Sequence, residues 1–309
     1  MNEKVSVLQV DNLSIAFSMY NRGLSKRDLE IIHELSIDVK KGEIVAVVGS
    51  SGSGKSLLAH AIMGILPENS KTKGSIKYYN DELNEKYLRK VRGKDIAFIP
   101  QSVDFLDPLM KVGKQVVGIN GNKEKQKEVF KKYNLDDKVA EMYPFQLSGG
   151  MARKVLLSTA LASDSKVIIA DEPTPGLDEE SLNEVLKDFR DIADSGRAIL
   201  MITHDIMAAL KIADKVAIFY AGSTLEIANT SDFKQKEVEL RHPYTKALYK
   251  ALPNHDFVPI DDKTQPLPNE LPKGCVFSDR CPLKDKNCEN QVPKIREIRN
   301  GKVRCIHAT

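Results

Sequence analysis

The chain has 309 residues, 41% of them hydrophobic, and its 46 Lys and Arg nearly cancel 43 Asp and Glu to leave a formal net charge of +3. That length holds one principal core plus an appendage, and the absence of a long basic block or an aromatic-rich basic stripe argues against nucleic acid as a partner. No apolar run approaches the roughly 18–20 residues needed to span a bilayer, and the polar start Met1-Asn2-Glu3-Lys4 leads into no signal-type apolar stretch, so a cytoplasmic chain is expected.

In chain order, Val5–Ile15 and Leu35–Val39 alternate apolar and polar residues, which predicts antiparallel strands, with a polar loop over Tyr20–Asp28 between them. Ile44-Val45-Ala46-Val47-Val48 predicts a buried strand and Leu57–Met63 a helix. Between them lies Gly49-Ser50-Ser51-Gly52-Ser53-Gly54-Lys55-Ser56, a complete GxxxxGK[ST] loop in the strand–loop–helix context that a nucleoside triphosphate site needs. A triphosphate carries about four negative charges, and glycines without a Cβ let backbone donors approach it closely. Lys55 is expected at the β and γ phosphates and Ser56 on Mg²⁺.

Gly74–Tyr79 and Ile96–Ile99 read as further strands, and Val112–Tyr133 and Lys138–Met142 as helices of a charged subdomain spanning about residues 102–160. Val167–Ala170, Ala198–Ile202 and Val216–Phe219 alternate with helices at Glu179–Asp194 and Ile206–Ile212, the pattern of a parallel sheet covered on both faces. Past a helix at Thr245–Ala251, Pro253, Pro259, Pro266, Pro268 and Pro272 mark an extended connector to a tail that holds all four cysteines. The expected architecture is an α/β P-loop NTPase over residues 1–240, with a parallel core sheet, an antiparallel β subdomain and a helical subdomain. A small irregular C-terminal metal-binding domain is expected over residues 241–309.

The second half of an ATPase site is expected at Asp171-Glu172, where Asp171 would hold Mg²⁺ through water and Glu172 would orient or deprotonate the attacking water. An acidic pair after a strand is by itself usually a solvated turn; placed after a P-loop it acquires meaning. Leu147-Ser148-Gly149-Gly150 opens a helix running through Val155–Ala160, and alone it would be an N-cap followed by two glycines. Gln101 follows the Ile96–Pro100 strand, Asp178 closes Thr174-Pro175-Gly176-Leu177-Asp178, and His204 lies in Ile202-Thr203-His204-Asp205.

This order of motifs resembles the ATP-binding cassette (ABC) ATPases. The resemblance implies that Ser148, Gly149 and Gly150 face the γ phosphate of ATP held by an opposite subunit. It further implies that Gln101 senses Mg²⁺ and the attacking water, that His204 contacts the γ phosphate, and that Asp178 communicates across a dimer. Phe17 fits the aromatic that stacks on adenine, with Tyr20 as the alternative. Two departures stand out: Met151-Ala152-Arg153-Lys154 follows the signature where basic and Gln residues are common, and Pro175-Gly176 replaces the commoner Ser-Ala.

Leu106-Asp107-Pro108-Leu109-Met110, Tyr143-Pro144-Phe145-Gln146 and His242-Pro243-Tyr244-Thr245-Lys246-Ala247-Leu248 narrow the resemblance. Together they look like the ATPase subunits of bacterial and archaeal importers for dipeptides, oligopeptides and nickel or metal chelates. Such subunits imply a second, related ATPase in a heterodimer, two membrane permease subunits, an extracytoplasmic solute-binding protein, and a peripheral place on the cytoplasmic face of the membrane. The rival readings are a soluble ABC ATPase outside transport and a redox-regulated module whose ATP turnover is vestigial.

Cys275, Cys281, Cys288 and Cys305 fall within 31 residues, and clustered thiolates are soft ligands for zinc or an iron-sulfur cluster. Structural zinc usually takes CxxC pairs, which are missing; the wider spacing suits a cubane and resembles the 4Fe-4S tail of some dipeptide-type importer ATPases. Zn²⁺, free thiols and disulfides stay as alternatives.

Overall fold

The computed structural model of the chain describes residues 5–20, 25–118, 122–235, 239–253, 255–258, 260 and 263–308. β1 (Ser6–Tyr20) and β2 (Lys26–Lys40) pair along their length, Leu35, Ile37 and Val39 burying one face of β2. β3 (Ile44–Val48) is buried at every position, and α1 (Lys55–Met63) follows it, ending on a left-handed Gly64. β4 (Ser70–Tyr78) and β5 (Asp81–Glu82) lead to α2 (Glu85–Val91), capped by Asn84, and β6 (Ile96–Ile99). The helical subdomain comprises α3 (Val112–Val117), α4 (Lys123–Lys132) and α5 (Gly149–Leu161).

The chain then alternates through β7 (Val167–Asp171), α6 (Glu179–Asp194), β8 (Ala198–Thr203), α7 (Ile206–Ile212) and β9 (Lys215–Tyr220). β10 (Ser223–Asn229), α8 (Thr230–Gln235), α9 (Pro243–Lys250), α10 (Lys286–Asn290), β11 (Arg296–Ile298) and β12 (Gly301–Val303) complete it.

One sheet runs β2-β1-β4-β5 and the other β11-β12-β10-β9-β3-β8-β7-β6. Within the second, β9, β3, β8, β7 and β6 are all parallel. Because side chains alternate along a strand, Ile44, Ala46 and Val48 enter one hydrophobic core while Val45 and Val47 enter the other. The parallel run ends where Ala221 and Gly222, both at positive φ, turn β9 back into antiparallel β10.

Several expectations change. Of the loop expected over Tyr20–Asp28, residues 21–24 lie outside the described residues, and its end is strand instead: Lys26, Arg27 and Asp28 pair with Tyr20, Met19 and Ser18, and Asp28 is held by Ser18 (2.6 Å) and Lys71 (2.7 Å). The helix expected over Val112–Tyr133 ends first at Gly118, whose φ of +62 favours glycine, and α4 begins at Lys123; part of the expected span lies outside the described residues. Lys138–Met142 gives only a 3-10 turn, Asp137–Glu141. Beyond the proline connector, β11 and β12 extend the main sheet, a contribution too short and polar to read from periodicity. The buried Arg241 guanidinium anchors this hairpin. It pairs with Glu226 (3.1 Å) and Asp232 (2.8 Å) and donates to the Ile298 carbonyl (2.7 Å).

Candidate active site

The P-loop joins β3 to α1, so the first amides of the helix face whatever the loop encloses. A Cβ on Gly49 would lie 2.3 Å from the Phe219 carbonyl oxygen, which leaves no side chain room there. Gly54 has φ +95, a conformation that starts the helix and that L side chains rarely adopt. Buried Lys55 donates through Nζ to the carbonyls of Gly49 and Ser50, both at 2.8 Å. Its burial lowers its pKa, while the nearby charges of Glu172 and Asp171 act the other way. Ser51 and Gly52 are exposed at the loop tip, and Ser53 turns inward to donate to the Ser50 carbonyl at 2.8 Å.

Strand order decides what meets this loop. β8 lies between β3 and β7, with β6 next to β7, so the carboxyl ends of four parallel strands present Gly49–Ser56, Thr203–His204, Asp171–Glu172 and Gln101 side by side. Ser56 Oγ donates to Asp171 Oδ1 at 3.1 Å across 115 positions of sequence. Burial raises the Asp171 pKa, and the Ser56 hydrogen bond partly offsets that. A buried carboxylate beside a serine hydroxyl is a hard-oxygen donor set that fits Mg²⁺.

Glu172 is nearly fully buried and takes a left-handed backbone, φ +47, with its N–H donating to the Ile202 carbonyl at 2.8 Å. Its Oε2 accepts from His204 Nδ1 at 2.9 Å and lies 3.4 Å from Thr203 Oγ1. A non-glycine residue at such φ costs on the order of 1–3 kcal/mol and persists where its surroundings over-determine it.

Ser148, Gly149 and Gly150 are exposed at the start of α5, where Ser148 Oγ accepts from the Met151 amide at 3.3 Å, so the N-cap reading holds as local geometry. Asp178 caps α6 in the same manner, and hydrogen bonds from Ser181 hold its carboxyl below the usual range. Gln101 presents an exposed side chain just past β6. Phe17 is half-buried in β1 against the antiparallel-sheet core, whereas Tyr20 is exposed, with the Lys26 ammonium 5.4 Å from its ring centroid.

Comparison with known proteins places the chain in a family. Residues 32–175 match the family described as ABC transporter, and residues 225–288 match the one described as oligopeptide/dipeptide transporter, C-terminal region. The chain is 34% identical over 325 residues to the oligopeptide transport ATP-binding protein of Escherichia coli (strain K12), covering 97% of this chain and 92% of the relative. It is 34% identical over 311 residues to the dipeptide transport ATP-binding protein of Bacillus subtilis (strain 168), covering 93% and 90%. The chain belongs to the ABC transporter ATP-binding proteins. A dimeric structure of a bacterial ABC transporter cassette shares the fold at a TM-score of 0.63 and 25% identity, covering 72% of this chain and 98% of that one. A post-hydrolysis cassette dimer bound to ADP and phosphate gives a TM-score of 0.63 at 23% identity.

This ABC protein is an ATPase. Among its described residues no helix is long and apolar enough to cross a membrane. Sequence reasoning missed three contributors to the site. Thr203 sits beside the Glu172 carboxylate and also accepts from the Asp205 amide at 3.0 Å. Gln265, from the proline connector, accepts from Ser50 Oγ of the P-loop at 2.7 Å, a contact across 215 positions with no local signal. Arg153 was noted only as a departure from the usual signature, yet it is buried and donates to four backbone carbonyls around the site.

In the tail, Cys275, Cys281, Cys288 and Cys305 are free thiols, all but Cys281 buried. Gly274 lets two of their segments meet: a Cβ there would lie 2.2 Å from the Cys288 carbonyl oxygen, and Cys275 N–H donates to that oxygen at 2.8 Å. Burial pushes the Cys275 thiol up to about 11 and raises the other three, with neighbouring cysteines adding to the rise at Cys275, Cys281 and Cys288. Asp285 and His307, not foreseen from sequence, place ligand atoms within 4.8 Å of each other and of Cys288.

Proposed function

We propose that this ATPase powers uptake of di- or oligopeptides through an ABC importer. The observation that carries the reading is similarity along nearly the whole chain, tail included, to ATP-binding proteins named for peptide transport. Both relatives named above are peptide proteins, so peptides are taken over nickel or metal chelates as cargo. The chain would sit on the cytoplasmic face of the membrane beneath two permease subunits, with a second, related ATPase and an extracytoplasmic solute-binding protein completing the transporter.

Within that assembly, the Gly49–Ser56 backbone and Lys55 bind the triphosphate, Phe17 takes the adenine, and Ser56, Asp171 and Gln101 hold Mg²⁺, which supplies charge neutralisation at the phosphates. Glu172 orients and deprotonates the attacking water, and His204 holds its carboxylate and reaches the γ phosphate. The exposed Ser148–Gly150 turn serves the nucleotide of the opposite subunit, and Asp178 lies at the same interface. ATP binding then favours the closed dimer because closure adds a second set of donors to each γ phosphate, and a ligand shifts an equilibrium only by its differential affinity.

We further propose that the four cysteines hold a 4Fe-4S cluster, with zinc as the alternative. The support is chemical: four free thiols, three of them buried and all raised by burial, are disfavoured as bare thiolates, and a cationic metal centre would compensate for that.

The transport reading is tested by uptake of radiolabelled dipeptides and tripeptides in the host before and after deletion of the gene. Loss of uptake restored by the wild-type chain but not by a Lys55→Ala chain is the expected result. Unchanged peptide uptake in the deletion strain would remove the proposal.

A further inference from the structure

Arg153 lies five residues past Ser148 on α5 and is 4% exposed, an expensive place for a cation. Its Nη1 donates to the carbonyls of Pro100 (3.2 Å) and Gln101 (2.8 Å), its Nε to that of Pro173 (3.2 Å), and its Nη2 to that of Glu172. These four carbonyls belong to two separate chain segments, one leaving β6 and one leaving β7. A guanidinium can serve both because its five N–H donors project from one rigid plane. The charges of Asp171 and Glu172 favour the cation there against its desolvation.

We infer that Arg153 is a positioning residue that locks the signature helix to the catalytic loop, holding the Glu172 and Gln101 peptides in working register with Ser148. The inference rests on Glu172 being the catalytic carboxylate. Glu172 has a left-handed backbone, and two hydrogen bonds restrain its peptide groups: its N–H to Ile202 and its C=O from Arg153. Such a conformation lasts only where neighbours impose it. Ser148 caps the same helix less than two turns away, so displacement of the signature turn by a neighbouring subunit's nucleotide is carried through the guanidinium to Gln101 and Glu172. The fork thus links the half-site this subunit lends to a partner with the half-site it keeps.

The test uses the purified full-length chain with Mg-ATP and two variants. Arg153→Lys keeps the charge without the fork, and Arg153→Gln keeps an amide donor without the charge. Both are expected to fold and to bind a fluorescent ATP analogue within about threefold of wild type with KM little changed, while kcat falls at least about tenfold. In a Glu172→Gln background, Arg153→Lys is expected to change the residual turnover by less than about twofold, since residues acting as one unit are non-additive. Wild-type kcat in Arg153→Lys, parallel loss of affinity and kcat, additive loss in the double variant, or failure of both variants to fold would each overturn the inference. Near-normal turnover of Glu172→Gln alone would instead remove the Glu172 assignment beneath it.

Discussion

His204 Nδ1 donates to Glu172 Oε2 at 2.9 Å, joining the end of β8 to the end of β7 across 32 residues. Thr203 Oγ1 lies 3.4 Å from the same oxygen, so the carboxylate is held from the β8 side. Glu172→Gln is expected to retain ATP binding, accumulate closed dimers with ATP on size exclusion, and lose turnover by about 10²-fold or more, the scale of a general base. Near-normal turnover would sink the assignment.

His204→Ala removes that restraint without touching the P-loop. Its kcat is expected to fall by roughly 10- to 100-fold with ATP affinity within about threefold, because the P-loop keeps most of the phosphate contacts while the Glu172 carboxylate loses its restraint. Steady-state kinetics set beside an equilibrium nucleotide titration separate the two.

Two loop glycines give a sharper contrast. Gly49→Ala forces a Cβ to 2.3 Å from the Phe219 carbonyl oxygen, whereas Gly52→Ala meets open space and only a φ of +78. Gly49→Ala is expected to abolish nucleotide binding, and Gly52→Ala to cost about 1–2 kcal/mol in local strain while keeping the loop closed. Nucleotide titrations of both variants check the order.

His242 is buried, caps α9 by accepting from the Tyr244 amide at 3.0 Å, and has its pKa lowered to about 3 by burial. The unfolded chain takes up this proton near pH 6.5 and the folded chain only near 3. Stability from neutral His242 is therefore present above pH 6.5 and lost as pH falls toward 3, at about 1.4 kcal/mol per unit, or about 2 kcal/mol from pH 7 to pH 5. His242→Asn keeps a cap acceptor and cannot titrate. The variant's thermal midpoint is expected to drop less between pH 7 and pH 5 than that of wild type; equal drops would refute the linkage.

Protein purified without oxygen is expected to be brown and to hold about four irons and four sulfides per chain. Cys281→Ser should lose the colour. A colourless wild-type protein with one zinc would overturn the cluster in favour of the single ion.

Much of the nucleotide site was legible because each motif is local: glycines at the turn, lysine and serine at the helix start, an acidic pair after an apolar run. The strands Ile44–Val48 and Ile96–Ile99 were readable to the residue, since apolar runs ended by glycine or proline leave few alternatives. Less was visible where hydrogen bonding rather than periodicity decides the backbone. The extension of β1 and β2 past Ile15 depends on Ser18, Asp28 and Lys71 meeting across strands. The β11–β12 hairpin depends on Arg241, whose carbonyl partner on Ile298 is 57 positions away.

By itself the sequence determined which chemical groups the chain carries: a phosphate loop, an acidic pair, a histidine after an apolar run, an LSGG turn and four thiols. The apolar runs beside them also placed the phosphate loop, the acidic pair, the histidine and the LSGG turn at the end of a strand or the start of a helix, and left the thiols in an irregular tail. Only the tertiary structure decided which of them meet. Ser56 reaches Asp171, Glu172 reaches His204, Gln265 reaches the P-loop, and Arg153 ties two loops together because strand order and burial set those distances. Local patterns encode how a segment folds; pairings separated by tens to hundreds of residues arise from packing all the segments at once, and no window of sequence contains them.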